Sequence, residues 1–399
     1  MDKDTDGNLL REIIHESLQR CIEGEFSAHK DDPYFRTRIP YDMKTVIEGL
    51  PLYPQTIPEV LISWAKLNKE TPYQMEDFLV LDLETTGLGR GGILAFMIGL
   101  GYYENGQFIV EQIFLPEPEA EVNSFDRLAE LLETRSVFIT FNGKTFDIPV
   151  LESRLLYNQI WLNLRDKQHI DLLHIARRLW KKRAPNCALE TLEFYILGHI
   201  RDAELDIEGG IIPQTYFQYL INGEPDLIRR IFIHNQYDVL HTAALFTLIC
   251  DSLASPVVVG SDHRIDYHAV ARLYGSQGQQ DTATELMEEL LRQKTLTPEL
   301  VCELGSIYKR EKRLDEALEL FSQGAELGHS ESMLELLKML ESHTKDYVSA
   351  LAVGEKLLLQ TLSRGGQEKK LADLQKRLGR LQQKLDKSIN GKTKMSSKN

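Results

Sequence analysis

Asp82 and Glu84 stand two residues apart in the apolar run DFLVLDLET. Side chains two apart in a strand project from the same face, so both carboxylates share one side while Leu83 turns to the other. Asp and Glu are poor strand formers, and two of them inside such a run call for a reason. Two further acids occupy distinctive settings. Asp147 closes FNGKTFD, and Asp238 closes HNQYD with His234 four residues ahead of it, a spacing that shares one helix face. Carboxylates brought together repel unless a cation lies among them. Mg2+ and Mn2+ are hard ions that prefer oxygen ligands. Two such ions about 4 Å apart stabilise both the attacking and the leaving oxygen when a phosphodiester is hydrolysed. Each element taken singly has a plainer reading: an exposed strand end for the D-x-E pair, a helix N-cap for Asp147, a solvated helix face for Asp238.

Taken together and in this order, the three segments resemble the DEDD superfamily of 3′-5′ exonucleases. Its first motif, D-x-E-T, is matched by Asp82, Glu84 and Thr85. Its second, N-x-x-x-F-D, is matched by Asn142, Phe146 and Asp147. Its third is an aspartate preceded by a tyrosine at four residues or a histidine at five. Here Asp238 carries His234 in the tyrosine's register, and the residue five ahead is Ile233, which cannot act as a base. The resemblance implies that the four acids hold two Mg2+ or Mn2+ ions and that nucleoside 5′-monophosphates are released from a 3′ end. His234 is the favoured group to orient or deprotonate the attacking water, since a histidine titrates near neutral pH. Tyr237 lies next to Asp238, roughly 100° round the helix, and is the less suited alternative. A packed, purely supporting His234 is the other. His169, His174 and His241 read as structural.

A wider resemblance covers about residues 30 to 340 and includes HIDLLHIARRLW and ALETLEFYILG. It is to bacterial proteins that join a DEDD domain to tetratricopeptide-like repeats, the YprB-like or mitomycin-repair-factor-B group. That resemblance implies DNA rather than RNA as substrate, a role in DNA repair, and cooperation with a helicase. The rivals are an RNA-processing exonuclease and a non-catalytic adaptor that binds nucleic-acid ends and works through its repeats. All four acids are intact, which a mere binder does not require.

The acids need a scaffold. Residues 1–72 are broken by Pro33, Pro40, Pro51, Pro54 and Pro58, and read as an irregular N-terminal segment with one helix near its end. Residues 73–255 alternate strand and helix patterns: DFLVLDLET, a glycine turn TGLGRGG, two strands joined at Asn105-Gly106, the helix SFDRLAELLE, the strand SVFITFNG and the helix FDIPVLESRLLYN. That order implies an α/β RNase H-like domain with a mixed sheet. Residues 265–365 are all-helical in pattern. Ala283, Ala317 and Ala350 recur after 34 and 33 residues, which suggests tetratricopeptide-like repeats; a plain helical bundle is the alternative. The repeats would offer a surface to a protein partner. Residues 366–399 carry Leu371, Leu374, Leu378, Leu381 and Leu385 at 3-4-3-4 spacing, a helix stripe suited to docking on the last repeat. The closing NGKTKMSSKN reads as disordered.

Charge is the main objection to a nucleic-acid partner. The 399 residues carry a net −14, and bulk attraction to phosphate needs the opposite sign. Positive charge must therefore be local. ARRLWKKRAPN offers Arg177, Arg178, Lys181, Lys182 and Arg183 around Trp180, which could hold phosphates and stack a base. The alternative is a solvated helix face with Trp180 in the core. Lys144 in the second motif is a further phosphate candidate. From Gln367 onward, ten Lys or Arg face three acids, a net of +7. The four cysteines form no C-x-x-C pair and read as reduced thiols. The acidic start lacks signal-peptide order, and no apolar run reaches the roughly 18 residues a membrane span needs. A cytoplasmic protein is expected.

Overall fold

A computed structural model of the chain describes residues 3–42, 44–87, 92–254, 264–294, 296–365 and 368–396. These fall into two compact units, the first running to residue 254 and including 264–270, the second beginning at 271. Most of the expected TGLGRGG turn lies outside the described residues.

The first unit opens with α1 (Lys3–Cys21), β1 (Glu25–Phe26), β2 (Phe35–Asp42), the short pair β3 (Val46–Ile47) and β4 (Leu50–Pro51), and α2 (Glu59–Ala65). Then come β5 (Phe78–Thr85), β6 (Ala95–Glu104), β7 (Gln107–Phe114), α3 (Glu121–Thr134), β8 (Val137–Thr140), α4 (Asp147–Tyr157), β9 (Gln168–Asp171) and α5 (Leu172–Leu179). α6 (Leu189–Leu192) passes into a π-helical turn at Glu193–Leu197, followed by α7 (Ile212–Asn222) and α8 (Asp226–Ala254).

Seven strands form one sheet in the order β1-β2-β7-β6-β5-β8-β9. β5, β8 and β9 run parallel, and the other pairings are antiparallel. This is the mixed-sheet α/β architecture of the RNase H-like fold. Asn105 and Gly106 both take positive φ, at 50° and 74°, which is what a two-residue hairpin of type I′ demands.

The N-terminal segment is not irregular throughout. β2 pairs with β7 over eight residues, from Phe35 opposite Phe114 to Asp42 opposite Gln107. The prolines had argued against a strand, but Pro40 is tolerated because β2 lies near the sheet edge, with only the two-residue β1 beyond it. The segment is therefore part of the sheet.

α8 crosses the sheet over β5, β6 and β7. Two glycines of β6 let it come close. A Cβ on Gly99 would lie 2.3 Å from Asn235 Oδ1, and one on Gly101 would lie 2.7 Å from Val239 Cγ1. The close approach brings the polar face of α8 against the carboxylates of β5.

The second unit is all-helical. It continues from α9 (Tyr267–Ser276) through α10 (Gln280–Arg292), α11 (Pro298–Arg310), α12 (Leu314–Glu326), α13 (Ser330–Met339), α14 (Tyr347–Ser363) and α15 (Glu368–Ser396). Ala283, Ala317 and Ala350 are buried near the starts of α10, α12 and α14. Small residues allow the close packing: Gly305 approaches the Phe321 ring, and Gly354 approaches Leu378. Such successive helical pairs fit a repeat region. α15 lays Leu374 and the fully buried Leu381 against its neighbours. It remains helical to Ser396, so the tail expected to be disordered continues the helix; residues 397–399 lie outside the described residues.

Candidate active site

β5 carries Asp82 and Glu84 on one face, as strand alternation requires. Glu84 is 8% exposed and Leu83 is packed into the core. The pairing of β5 with β6 shifts register between Glu84 and Thr85, and Thr85 donates its hydroxyl to Gly87 O at 2.9 Å. Asp147 opens α4 but does not cap it. Its Oδ1 instead accepts the Leu83 N–H at 3.0 Å, which pins the helix start beside the two strand acids.

α8 supplies the other side. Asp238 and His234 share a helix face, with His234 Nε2 3.8 Å from Asp238 Oδ2. Between them in sequence, Asn235 is fully buried and donates its side-chain amide to Asp82 Oδ2 at 2.8 Å. Its own carbonyl oxygen accepts from Gln112 Nε2 at 3.0 Å, and Thr37 of β2 donates to Gln112 Oε1 at 3.0 Å. A buried chain of hydrogen bonds thus runs from the N-terminal strand to Asp82.

Arg201 is the cation that faces this group. It donates to both carboxylate oxygens of the buried Glu193, through Nε at 2.7 Å and Nη2 at 2.5 Å. It also donates to Asp238 Oδ1, and to Asp206 Oδ2 at 3.3 Å. Glu193 sits in the π-helical turn and also meets His241 Nδ1 at 2.9 Å. Asp206 Oδ1 lies 2.9 Å from His234 Nδ1, while Arg201 Nη1 lies 3.1 Å from the same nitrogen. One ring nitrogen cannot serve both. We assign its proton to the shorter contact with Asp206, which leaves Nε2 of a neutral His234 unprotonated on the side that faces Asp238.

Electrostatics mark Asp82, Glu84 and Asp147. Burial and the charges of Asp238 and Asp147 push Asp82 well above the usual carboxylate range. Burial, then Asp82, Asp238 and Asp147, do the same to Glu84. Burial raises Asp147 to about 7, with Asp171 and Asp238 adding to it and two backbone donors opposing it. Burial alone would depress His234, but its bond to Asp206 and the charge of Asp238 bring it above its ordinary value. Four clustered carboxylates, with Arg201 the guanidinium against them among the described residues, have the donor set that a hard divalent cation compensates. Glu84, His234 and Asp238 can each direct one ligand atom to a common point, all within 4.8 Å of one another.

The second-motif loop is held by a residue the sequence reading passed over. Asp171, buried at the end of β9, accepts from Asn142 N at 2.9 Å and Lys144 N at 3.0 Å. Asn142 takes a positive φ of 69° there. The side chains of Asn142 and Lys144 are exposed. Arg177, Arg178, Lys181, Lys182 and Arg183 are exposed at the end of α5 and just beyond it. Trp180 among them is 1% exposed and donates its indole N–H to Arg264 O at 3.0 Å. It is a core residue, and the expectation that it stacks a base is corrected. Tyr237 is committed to a ring cluster, stacked on His241 with centroids 5.6 Å apart and 5.2 Å from His199.

Residues 79–250 match the family model of the RNase H superfamily. The chain is 31% identical over 320 residues to the uncharacterized protein YprB of Bacillus subtilis (strain 168), covering 78% of this chain and 76% of that one. The chain belongs to the YprB family. Its RNase H-superfamily domain gives this YprB-family member a nuclease-type scaffold, one that normally binds divalent metal and acts on nucleic acids. No helix among the described residues is long and apolar enough to cross a membrane. Asn235, Arg201, Asp206, Glu193 and Asp171 bond to residues of the candidate site, and none was singled out from sequence. Asn235 carried the one available signal, as a polar residue inside HNQYD on the same helix as His234 and Asp238.

Proposed function

We propose that the protein is a metal-dependent 3′-5′ exonuclease of the DEDD type, acting on DNA in repair and releasing nucleoside 5′-monophosphates. The observation that carries this reading is the convergence of Asp82, Glu84, Asp147 and Asp238 on one end of the RNase H-like sheet, where the charges of the other three raise Glu84. In this reading those four acids hold two Mg2+ or Mn2+ ions. When bound, the ions supply positive charge to the attacking and leaving oxygens. The protein's own groups do the rest. Asp206 holds His234 Nδ1, so Nε2 faces the cluster and accepts the proton of the attacking water. Arg201 fixes Asp238 and Asp206 together. Thr85, Asn142 and Lys144 line the approach to the acids and contact the substrate strand. Arg177, Arg178, Lys181, Lys182 and Arg183 take its phosphates. The helical pairs act as tetratricopeptide-like repeats that engage a protein partner, a helicase in the family reading, in the cytoplasm.

A second role for His234 is favoured by the convergence of its Nε2 with Glu84 and Asp238: it enters as a metal ligand. His234→Gln separates the two, since a lost ligand weakens Mn2+ binding, whereas a lost base lowers turnover at unchanged Mn2+ affinity.

The deciding experiment uses end-labelled DNA and RNA with Mg2+, Mn2+ or EDTA, comparing wild type with Asp82→Ala. Metal-dependent shortening of DNA from the 3′ end, abolished in Asp82→Ala, is expected. Loss of nucleotide from RNA alone transfers the reading to RNA processing. No shortening of either substrate leaves an end-binding adaptor.

A further inference from the structure

In the second unit, α13, α14 and α15 enclose a groove of about 740 Å³. Five cations line it, Arg364, Lys370, Lys376, Arg377 and Arg380, against two acids, Glu331 and Asp373. The chain carries −14 overall, yet residues 367–399 alone carry ten bases and three acids. The positive charge is therefore concentrated on α15.

Internal ion pairs take up only part of this charge. Glu341 engages Arg377 at 2.5 Å and Lys384 at 2.8 Å. Among the described residues, no carboxylate lies within ion-pair reach of Lys370, Lys376 or Arg380. Arg377 keeps its Nε buried with no hydrogen-bond partner. A buried guanidinium N–H left unsatisfied is costly. The helix is anchored, so the charges are fixed in place: Leu381 is fully buried and Leu378 packs on Gly354.

We propose that this groove and the exposed face of α15 bind the backbone of a single-stranded nucleic acid. Lys376, Arg380 and Lys384 recur every four residues, about 6 Å apart along the helix axis. A linear array of that kind suits a polymer with one negative charge per unit. The nuclease reading of the first unit contributes only the identity of the polyanion. The binding site itself stands on the charge and the cavity.

The test uses the full chain in EDTA, so that no hydrolysis occurs, with fluorescein-labelled single-stranded DNA followed by anisotropy between 50 and 200 mM salt. Reversal of three cations (Lys370→Glu, Lys376→Glu, Arg380→Glu) is expected to weaken binding by about tenfold or more and to flatten the log–log salt slope by about 2, at roughly 0.7 per phosphate contact on single strands. Circular dichroism and the same three positions changed to Gln guard against misfolding; the Gln variant is expected to show the same direction of change. Unchanged affinity and slope in both variants overturns the proposal. So does displacement of the DNA by polyglutamate at equal charge concentration, which assigns the groove to an acidic protein. Asp82→Ala, assayed separately for hydrolysis in Mg2+, tests the nuclease reading, which can fail while the groove still binds.

Discussion

Asn235 donates its side-chain amide to Asp82 at 2.8 Å. This one bond ties the third sequence motif to the first, helix α8 to strand β5. It is also the last link of the chain that begins at Thr37 and passes through Gln112. Asn235→Ala removes a donor from Asp82 and leaves Gln112 short of an acceptor. We expect a stability loss of about 1–3 kcal/mol in urea unfolding with EDTA present. Mn2+ affinity, read by calorimetry, is expected to fall by about 10-fold, the usual consequence of removing a group that orients a ligand. Unaltered Mn2+ affinity would mean that Asp82 does not depend on Asn235 for its position.

Gly99→Ala tests the same contact from the other side. The new Cβ would meet Asn235 Oδ1 at 2.3 Å and Nδ2 at 2.5 Å. Overpacking of this kind costs about 1–3 kcal/mol. The double variant Gly99→Ala with Asn235→Ala is expected to lose less stability than the two singles added, because the clash is gone. Strict additivity in the cycle would show that Gly99 is not accommodating Asn235.

Asp82→Asn keeps an acceptor for Asn235 and removes one charge from the cluster. Without metal, relief of the burial cost and of the repulsion from Asp238 and Asp147 is expected to raise stability. With metal the order reverses. Wild type gains thermal stability as Mn2+ is added and the variant does not. Hydrolysis is expected to fall by about 100-fold or more. Melting curves in EDTA and in Mn2+ check this; a variant less stable than wild type in EDTA contradicts it.

Glu193 gives a pH signature. Burial would raise it, but Arg201 and His241 hold it down to about 2. In the unfolded chain a glutamate titrates near 4.3. The unfolded state therefore takes the proton first as pH falls. The stabilisation is complete above about pH 5 and is lost between roughly pH 4 and 2, amounting to roughly 3 kcal/mol. Glu193→Gln is expected to be less stable at neutral pH and to show a flatter profile across that window. Urea midpoints at a series of pH values read both, and parallel profiles for the two proteins would exclude Glu193 as the source.

The four acids and the sheet that carries them were readable because strand alternation, helix periodicity and hairpin chemistry are local. That Asp82 and Glu84 share a face follows from their spacing, their candidacy as a site came from the resemblance over three motifs, and Asn105-Gly106 announces its own turn. Arg201 was not readable. It follows Gly198 in a loop, and nothing nearby in sequence says that its guanidinium spans Glu193, Asp206 and Asp238. Asp171 was hidden in the same way, since its partners lie 27 and 29 residues earlier. Trp180 misled because basic neighbours suggest a surface, whereas its position on α5 turns it inward. β2 was missed because proline counts against a strand in general, but much less at a sheet margin.

That strand has a practical meaning for anyone who cuts the gene. Residue 73 looks like a natural place to begin a catalytic fragment. A fragment begun there would lack β2 and leave bare the amides and carbonyls that alternate residues of β7 direct to it, beside the apolar surface that Phe35 had covered. Exposed edges of this kind recruit other chains. Such a fragment is headed for the inclusion body, and the N-terminal strand acts as a guard against self-association as much as a part of the fold.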